Sequence, residues 1–220
     1  MKQALIVYGG WPGHDPKGVA ALFADILEKE GVGVTLSDTL EAFDGDLSGY
    51  DLIVPIWTMG EISPSQCANV MKAVANGAGL AGCHGGMCDA FRGCTDWQFM
   101  TGAQWVAHPG NAIDYRVTLR HAGDSPLTRG ISDFDVHSEQ YYILVDPCVN
   151  VLAVTEYTHK DGLASENGVF SIPVVYTKTW GKGRVYYNSL GHDHTLFENI
   201  PEAAELMRRG FLWAMREVEA

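Results

Sequence analysis

The run Gln3-Ala4-Leu5-Ile6-Val7-Tyr8, closed by Gly9-Gly10, constrains the chain more than any other stretch. A strand sends successive side chains to opposite faces, so an apolar run without polar alternation must be covered on both. Such a strand belongs in the interior of a parallel sheet with crossover helices above and below. The next segments fit that reading. After a loop, Asp15-Pro16 supplies an N-cap and a first-turn proline, and Val19, Ala20, Leu22, Phe23, Ile26 and Leu27 then recur at helical spacing up to Gly31. Residues 32–36 and 51–56 predict two further strands. Ser63-Pro64-Ser65-Gln66 carries a capping box and begins a helix to about residue 75, after which an apolar strand runs into paired glycines.

The second half has a different pattern. Residues 113–119 alternate, residues 140–145 and 149–154 come next as strands, and residues 174–179 and 184–188 flank the turn Gly181-Lys182-Gly183. These predict added, partly antiparallel strands. A helix from residue 201 to about 218 closes the chain, with Ala204, Met207, Phe211, Leu212, Met215 and Val218 as its core stripe. The expected class is α/β, with a flavodoxin-like, mostly parallel sheet, helices on both faces and extra antiparallel strands in the second half. No linker divides the 220 residues, and 46% of them are hydrophobic, so one domain spanning 1–220 is expected. The loop over residues 157–168 reads as the most mobile segment.

A net charge of −12 without a basic cluster argues against nucleic acid and anionic membranes as partners. The first apolar run is too short for a secretion signal and no run reaches membrane-spanning length, which leads to the expectation of a cytoplasmic protein. Cys67, Cys83, Cys88, Cys94 and Cys148 form an odd set without CxxC spacing, so neither a disulfide framework nor a structural zinc site is suggested. Six tryptophans and apolar loops are compatible with a homo-oligomer.

Chemistry concentrates on histidine. In Gly82-Cys83-His84-Gly85-Gly86, the glycines permit a tight strand-to-helix turn that holds His84 at the strand's carboxyl end. Two readings stand side by side: a side chain pushed into a cleft, or a histidine satisfied in the core. Ligands of open α/β sheets sit beyond the strands' carboxyl ends, where Trp11, His14, Trp57 and His84 would all fall. A helix beginning near Gly86 would present its positive end to His84 and keep the ring neutral, fit to act as base or metal ligand. His137 and Glu139, two apart, would share a face, with Tyr141 next in line; a surface strand with polar alternation would read the same way. His192 comes just after a strand, whereas Asp193 and His194 read as solvated. His108 lies in a loop before Pro109-Gly110, and His121 and His159 read as solvated. Tryptophans 11, 57, 97 and 105 in loops suit a carbohydrate, although packing is the commoner use of tryptophan.

On these residues the chain resembles the ThuA-like (trehalose utilisation) family, within the class I glutamine amidotransferase-like superfamily. The resemblance runs over nearly the whole length. It rests on Gly82-Cys83-His84-Gly85-Gly86, His108-Pro109, Glu139 with Tyr141, and Gly181-Lys182-Gly183-Arg184-Val185 leading to Leu190-Gly191-His192. It implies a flavodoxin-like sheet with its cleft at the Gly-His-Gly-Gly turn. The superfamily's amidotransferases carry Gly-x-Cys-x-Gly there, which places His84 where their nucleophilic cysteine stands and Cys83 one residue off. A Cys-dependent glutaminase is therefore not expected. Ser138 stands where the family often has an acid before its motif glutamate, and Ser125-Pro126 where it often has His-Pro.

ThuA-like proteins are associated with disaccharide breakdown through 3-keto-glycosides. The resemblance thus implies an enzyme on a small, sugar-like keto-glycoside, working by isomerisation, elimination or hydrolysis. His84, Glu139 and His192 would be its acid, base or divalent-metal ligands, with zinc or a similar ion as the cofactor in the latter case. Trp11, His14, Trp57, Gly85, His108, His137 and Tyr141 would contact the substrate. A non-catalytic sugar or metabolite sensor with the same cleft is the alternative.

Overall fold

The structure is a computed structural model that describes residues 1–120, 124–158 and 166–217. The opening run becomes β1 (Gln3–Gly10), followed by α1 (Pro16–Lys29), β2 (Gly33–Ser37), β3 (Leu52–Thr58), α2 (Pro64–Asn76) and β4 (Gly79–Cys83). The short helices α3 (His84–Cys88) and α4 (Thr95–Thr101) lead to β5 (Ala103–Ala107), β6 (Ala112–Leu119), β7 (Phe134–Glu139) and β8 (Tyr142–Val145). Then come β9 (Asn150–Tyr157), β10 (Phe170–Trp180), β11 (Gly183–Asn188), α5 (His194–Asn199) and α6 (Pro201–Ala214).

Nine strands form one sheet in the order β2-β1-β3-β4-β11-β10-β9-β6-β7. The first five are parallel, in the flavodoxin order with β11 as the fifth strand. The remaining four pair antiparallel and extend the sheet, as the alternating second half predicts. β5 and β8 pair with each other in a separate two-stranded sheet.

The double cover demanded by β1 is visible in its own residues. Ala4 and Ile6 join Val19, Phe23 and Leu27 of α1 and Leu206, Met207 and Phe211 of α6 on one face. Leu5 and Val7 join Val70 and Val74 of α2 on the other. Each of the larger aliphatic side chains contributes about 1.5–3 kcal/mol by leaving water. The predicted caps form: the Asp15 side chain accepts from Gly18 N, and Ser63 and Gln66 close a reciprocal capping box.

Some boundaries differ from expectation. The strand expected from residue 140 begins at Tyr142, because Gln140 turns inward and its amide donates to Thr155 Oγ1 (2.8 Å) and to the Glu156 carbonyl (3.0 Å). Asp193, read as solvated, N-caps α5 by accepting from Thr195 N and Leu196 N. The closing helix ends at Ala214, whereas Val218, His121, His159 and residues 159–165 of the expected mobile loop lie outside the described residues.

Candidate active site

β4 is buried along its whole length, and α3 begins at the very next residue. The reversal places His84 at φ 46°, in the left-handed region, at a cost of about 1–2 kcal/mol for a residue with a Cβ. Asp15, just after His14, and Met59, just after Thr58, are left-handed as well (φ 43° and 60°). Three strand-end loops therefore turn sharply where they meet. Gly85 lets them close: a Cβ there would stand 2.7 Å from His14 Nδ1 and 2.8 Å from Thr58 Oγ1.

The centre of the site is Glu139, the last residue of β7. Its Oε2 lies 3.2 Å from His84 Nε2, 3.5 Å from His192 Nδ1 and 3.6 Å from His14 Nε2. Its Oε1 lies 3.8 Å from His108 Nε2. The carboxylate is buried, and among the described residues its ion-pair partners are these histidines. His84 and His14 are held from behind. His84 Nδ1 donates to the Ser189 carbonyl at 2.7 Å, and His14 Nδ1 stands 2.8 Å from the Thr58 hydroxyl. Tyr141 stacks on His84 with ring centroids 3.9 Å apart, and the Tyr115 hydroxyl donates to the Glu139 carbonyl at 3.3 Å.

Burial pushes His84 down to about 4, against the opposing influence of Glu139, so the ring is neutral at physiological pH. The expectation of a neutral ring holds, but burial carries it, and α3 has only five residues. Burial works to raise the Glu139 carboxyl, yet the contacts from His14, His192 and His84 hold it below the usual carboxylate range. His192 is raised by its contact with Glu139. At neutral pH the centre therefore holds a carboxylate, a neutral His84, and His192 as a ring disposed to take a proton.

His84, Glu139, His192, His14, His108 and Tyr141 are thus brought together, and Trp11 packs edge-on against His14 at 4.7 Å. Trp57 is half-buried over Gly9 and Gly60 at the neighbouring strand ends. His137 does not join them. It is exposed and pairs with Asp114 across β6 and β7 at 2.8 Å. His137 and Glu139 keep strand register with Asp114 and Ala112, yet they differ in surroundings: His137 is exposed, whereas Ser138 and Glu139 at the strand's end are both buried. His194, read as solvated, forms a short ion pair with Asp15 that ties α5 to the start of α1. Cys83 points into the core, and burial pushes its thiol far above the ordinary range.

Sequence reasoning misses Thr58 and the Ser189 carbonyl; the Trp105 ring is tilted against His108 at 5.5 Å and carries the Arg92 guanidinium at 4.5 Å. No side-chain signal marks a backbone carbonyl. Of the tryptophans expected in loops, Trp57 lies in β3, Trp105 in β5 and Trp97 in α4, where it is fully buried. Beside His14 and His84 a void of about 10 Å³, bounded also by Val19, Ile56 and Cys83 of the core, has room for no more than about one water. A bound substrate must therefore lie outward, where Trp11, His108 and His192 keep partial exposure.

Fold and site together define an α/β protein with a histidine–carboxylate centre at the carboxyl ends of its strands. The chain belongs to the ThuA family: the family profile described as trehalose utilisation matches residues 3–214. A ThuA-like protein from Parabacteroides merdae superposes with a TM-score of 0.76 at 18% identity, covering 98% of this chain and 90% of that one. A ThuA-like protein from Bacteroides uniformis gives 0.74 at 15% identity, with 97% and 91% covered. A β-galactosidase from Bacillus circulans matches at 0.63 and 15% identity over 99% of this chain but only 31% of its own. A search of curated protein sequences returns no match. Family membership supports a role related to trehalose utilisation. No described helix is long and apolar enough to cross a membrane.

Proposed function

We propose that this chain is an enzyme that breaks down a keto-glycoside derived from a disaccharide, by proton abstraction beside the ketone followed by elimination of the aglycone. The observation that carries this reading is the convergence of three imidazoles on the single buried carboxylate of Glu139. A ketone at one ring carbon acidifies the neighbouring C–H, so a positioned neutral base suffices to remove that proton.

His84 is suited to be that base. Its Nδ1 hydrogen is committed to Ser189, which leaves the Nε2 lone pair directed at the cluster. The C–H electron pair forms the new C=C bond, the glycosidic C–O bond breaks, and the leaving oxygen takes a proton from His192. Glu139 holds that proton on His192 and orients both rings. Trp11 and Trp105 provide aromatic surface against which the apolar faces of a sugar pack, while the buried Tyr141 stacks on His84 and holds its ring.

His84→Ala should lower turnover of a 3-keto-disaccharide by about 10²–10⁴-fold with the fold intact by circular dichroism. Proton NMR of the sugar mixture monitors the reaction. Wild-type rates in the variant would remove His84 from the chemistry. A wild-type protein that binds the sugar without consuming it would be a sensor and not an enzyme.

A further inference from the structure

We infer that His14, His84, His192 and Glu139 are the four ligands of a divalent transition-metal cation, through His14 Nε2, His84 Nε2, His192 Nδ1 and Glu139 Oε2. The inference concerns the site of the proposed reaction and rests on that reading only for what the cation would do to a substrate. Its basis is the convergence of four donor atoms. A carbonyl oxygen can only accept, so the 2.7 Å contact from His84 Nδ1 to Ser189 O places a hydrogen on Nδ1. Nε2 of the fully buried ring is then the nitrogen turned to the cluster, where it faces the carboxylate oxygen of Glu139 at 3.2 Å.

His192 Nδ1 is buried and lies 3.5 Å from the same oxygen. His14 Nε2 is 3.6 Å away. Donor atoms held about 2.1 Å from a tetrahedral cation stand about 3.4 Å apart, which matches the three separations from Glu139 Oε2. The four donor atoms all lie within 4.8 Å of one another. The supporting contacts are those of a metal centre too, since histidine ligands hand their second ring nitrogen to a carbonyl or polar side chain that fixes the tautomer. Ser189 O does this for His84 and Thr58 for His14. Three imidazoles with one carboxylate suit zinc, iron, copper or nickel over calcium or magnesium, which prefer all-oxygen shells. A cation here would polarise the sugar ketone and stabilise the enolate formed by proton loss. Because it would occupy the Nε2 lone pair of His84, proton abstraction in the loaded protein would fall to a group outside the ligand set, the nearest being His108, whose Nε2 lies 3.8 Å from Glu139 Oε1.

The test is direct binding. Protein stripped with a chelator and dialysed is titrated with Co²⁺, monitored by visible absorption, and with Zn²⁺, monitored by calorimetry. One equivalent of Co²⁺ should bind, with absorption typical of a low-coordinate nitrogen–oxygen site, and Zn²⁺ should displace it. His14→Ala and Glu139→Gln should each weaken binding by about 100-fold or more, and Thr58→Val by about 10-fold, while His137→Ala changes nothing. Absence of stoichiometric binding, or binding that survives His14→Ala and Glu139→Gln unchanged, overturns the inference. Circular dichroism of each variant separates loss of ligand from loss of fold. Full turnover by the stripped protein would overturn the role given to the cation in the reaction while leaving the proton-transfer reading standing. Stoichiometric binding without turnover of any keto-glycoside would support the metal and sink that reading.

Discussion

Gly85→Ala tests whether the centre is a closed construction or a loose gathering of side chains, because two opposing terms decide the sign of its effect. Gly85 lies inside α3 with ordinary helical backbone, so alanine meets no backbone strain and gains up to about 1 kcal/mol of helix propensity. Its Cβ, however, would stand 2.7 Å from His14 Nδ1, 2.8 Å from His14 Cε1 and 2.8 Å from Thr58 Oγ1. Ordinary contact begins near 3.4 Å, so the imidazole must retreat by about 0.7 Å. It has little room to do so, being buried, bonded to Thr58 and packed between Trp11 and His84. Overpacking costs about 1–3 kcal/mol and the weakened His14–Thr58 bond about 1 kcal/mol. Net destabilisation of about 1–3 kcal/mol is therefore expected in urea unfolding at pH 7. Displacing a positioned ring by this much should also lower turnover by about 100-fold. A Gly85→Ala protein as stable as the wild type or more so, with full turnover, would show that the loops yield freely and that His14 is not held in place.

Three further outcomes are expected from individual residues. Cys83→Ala should cost about 1 kcal/mol of stability and change turnover less than about twofold, since the thiol faces the core; a loss of 100-fold or more with the fold intact would restore it as nucleophile. His84→Gly and His84→Ala should lower turnover alike, but glycine should be more stable by about 1 kcal/mol in chemical denaturation because φ 46° costs it nothing; equal stabilities would show that the turn relaxes once the imidazole is gone. Glu205 is held down to about 2, chiefly by Arg208 and then by Arg209, so its contribution is present above about pH 4.5 and is lost as pH falls toward 2. With the side chain about a third exposed, Glu205→Gln should cost only about 1 kcal/mol at pH 7, and its unfolding curve should merge with the wild type's near pH 2; a difference independent of pH would refute the ion-pair account.

The parallel half of the fold was legible because its signals are local. The both-faces burial of β1 shows in five or six consecutive residues, and the caps at Asp15 and Ser63 show in four. The turn at His84 was legible for the same reason: strand, histidine and glycines are contiguous. The meeting of His84 with Glu139 was not, since 55 residues separate them and each was also readable as structural. His14 was placed near the cleft by its strand end, but nothing in Gly13-His14-Asp15 shows that its ring reaches the same carboxylate. The i, i+2 spacing of His137 and Glu139 could not show that the strand's last residue is buried against the strand-end histidines while His137, two residues earlier, stays exposed and paired with Asp114.

The origin of each group shows why the centre depends on the whole sheet. His14, Thr58, His84 and His192 come at or after the ends of β1, β3, β4 and β11, all members of the parallel half, and bring only neutral or basic chemistry. The counter-charge comes from β7, at the far end of the antiparallel extension in the strand order. The extension must therefore curl back over the strand ends for Glu139 Oε2 to stand 3.2 Å from His84. A pack of buried imidazoles without the carboxylate would have no anion to hold a proton or a cation among them. The added strands, which look at first like an appendage to a flavodoxin-like sheet, supply the group that turns a cluster of strand-end histidines into a site capable of chemistry.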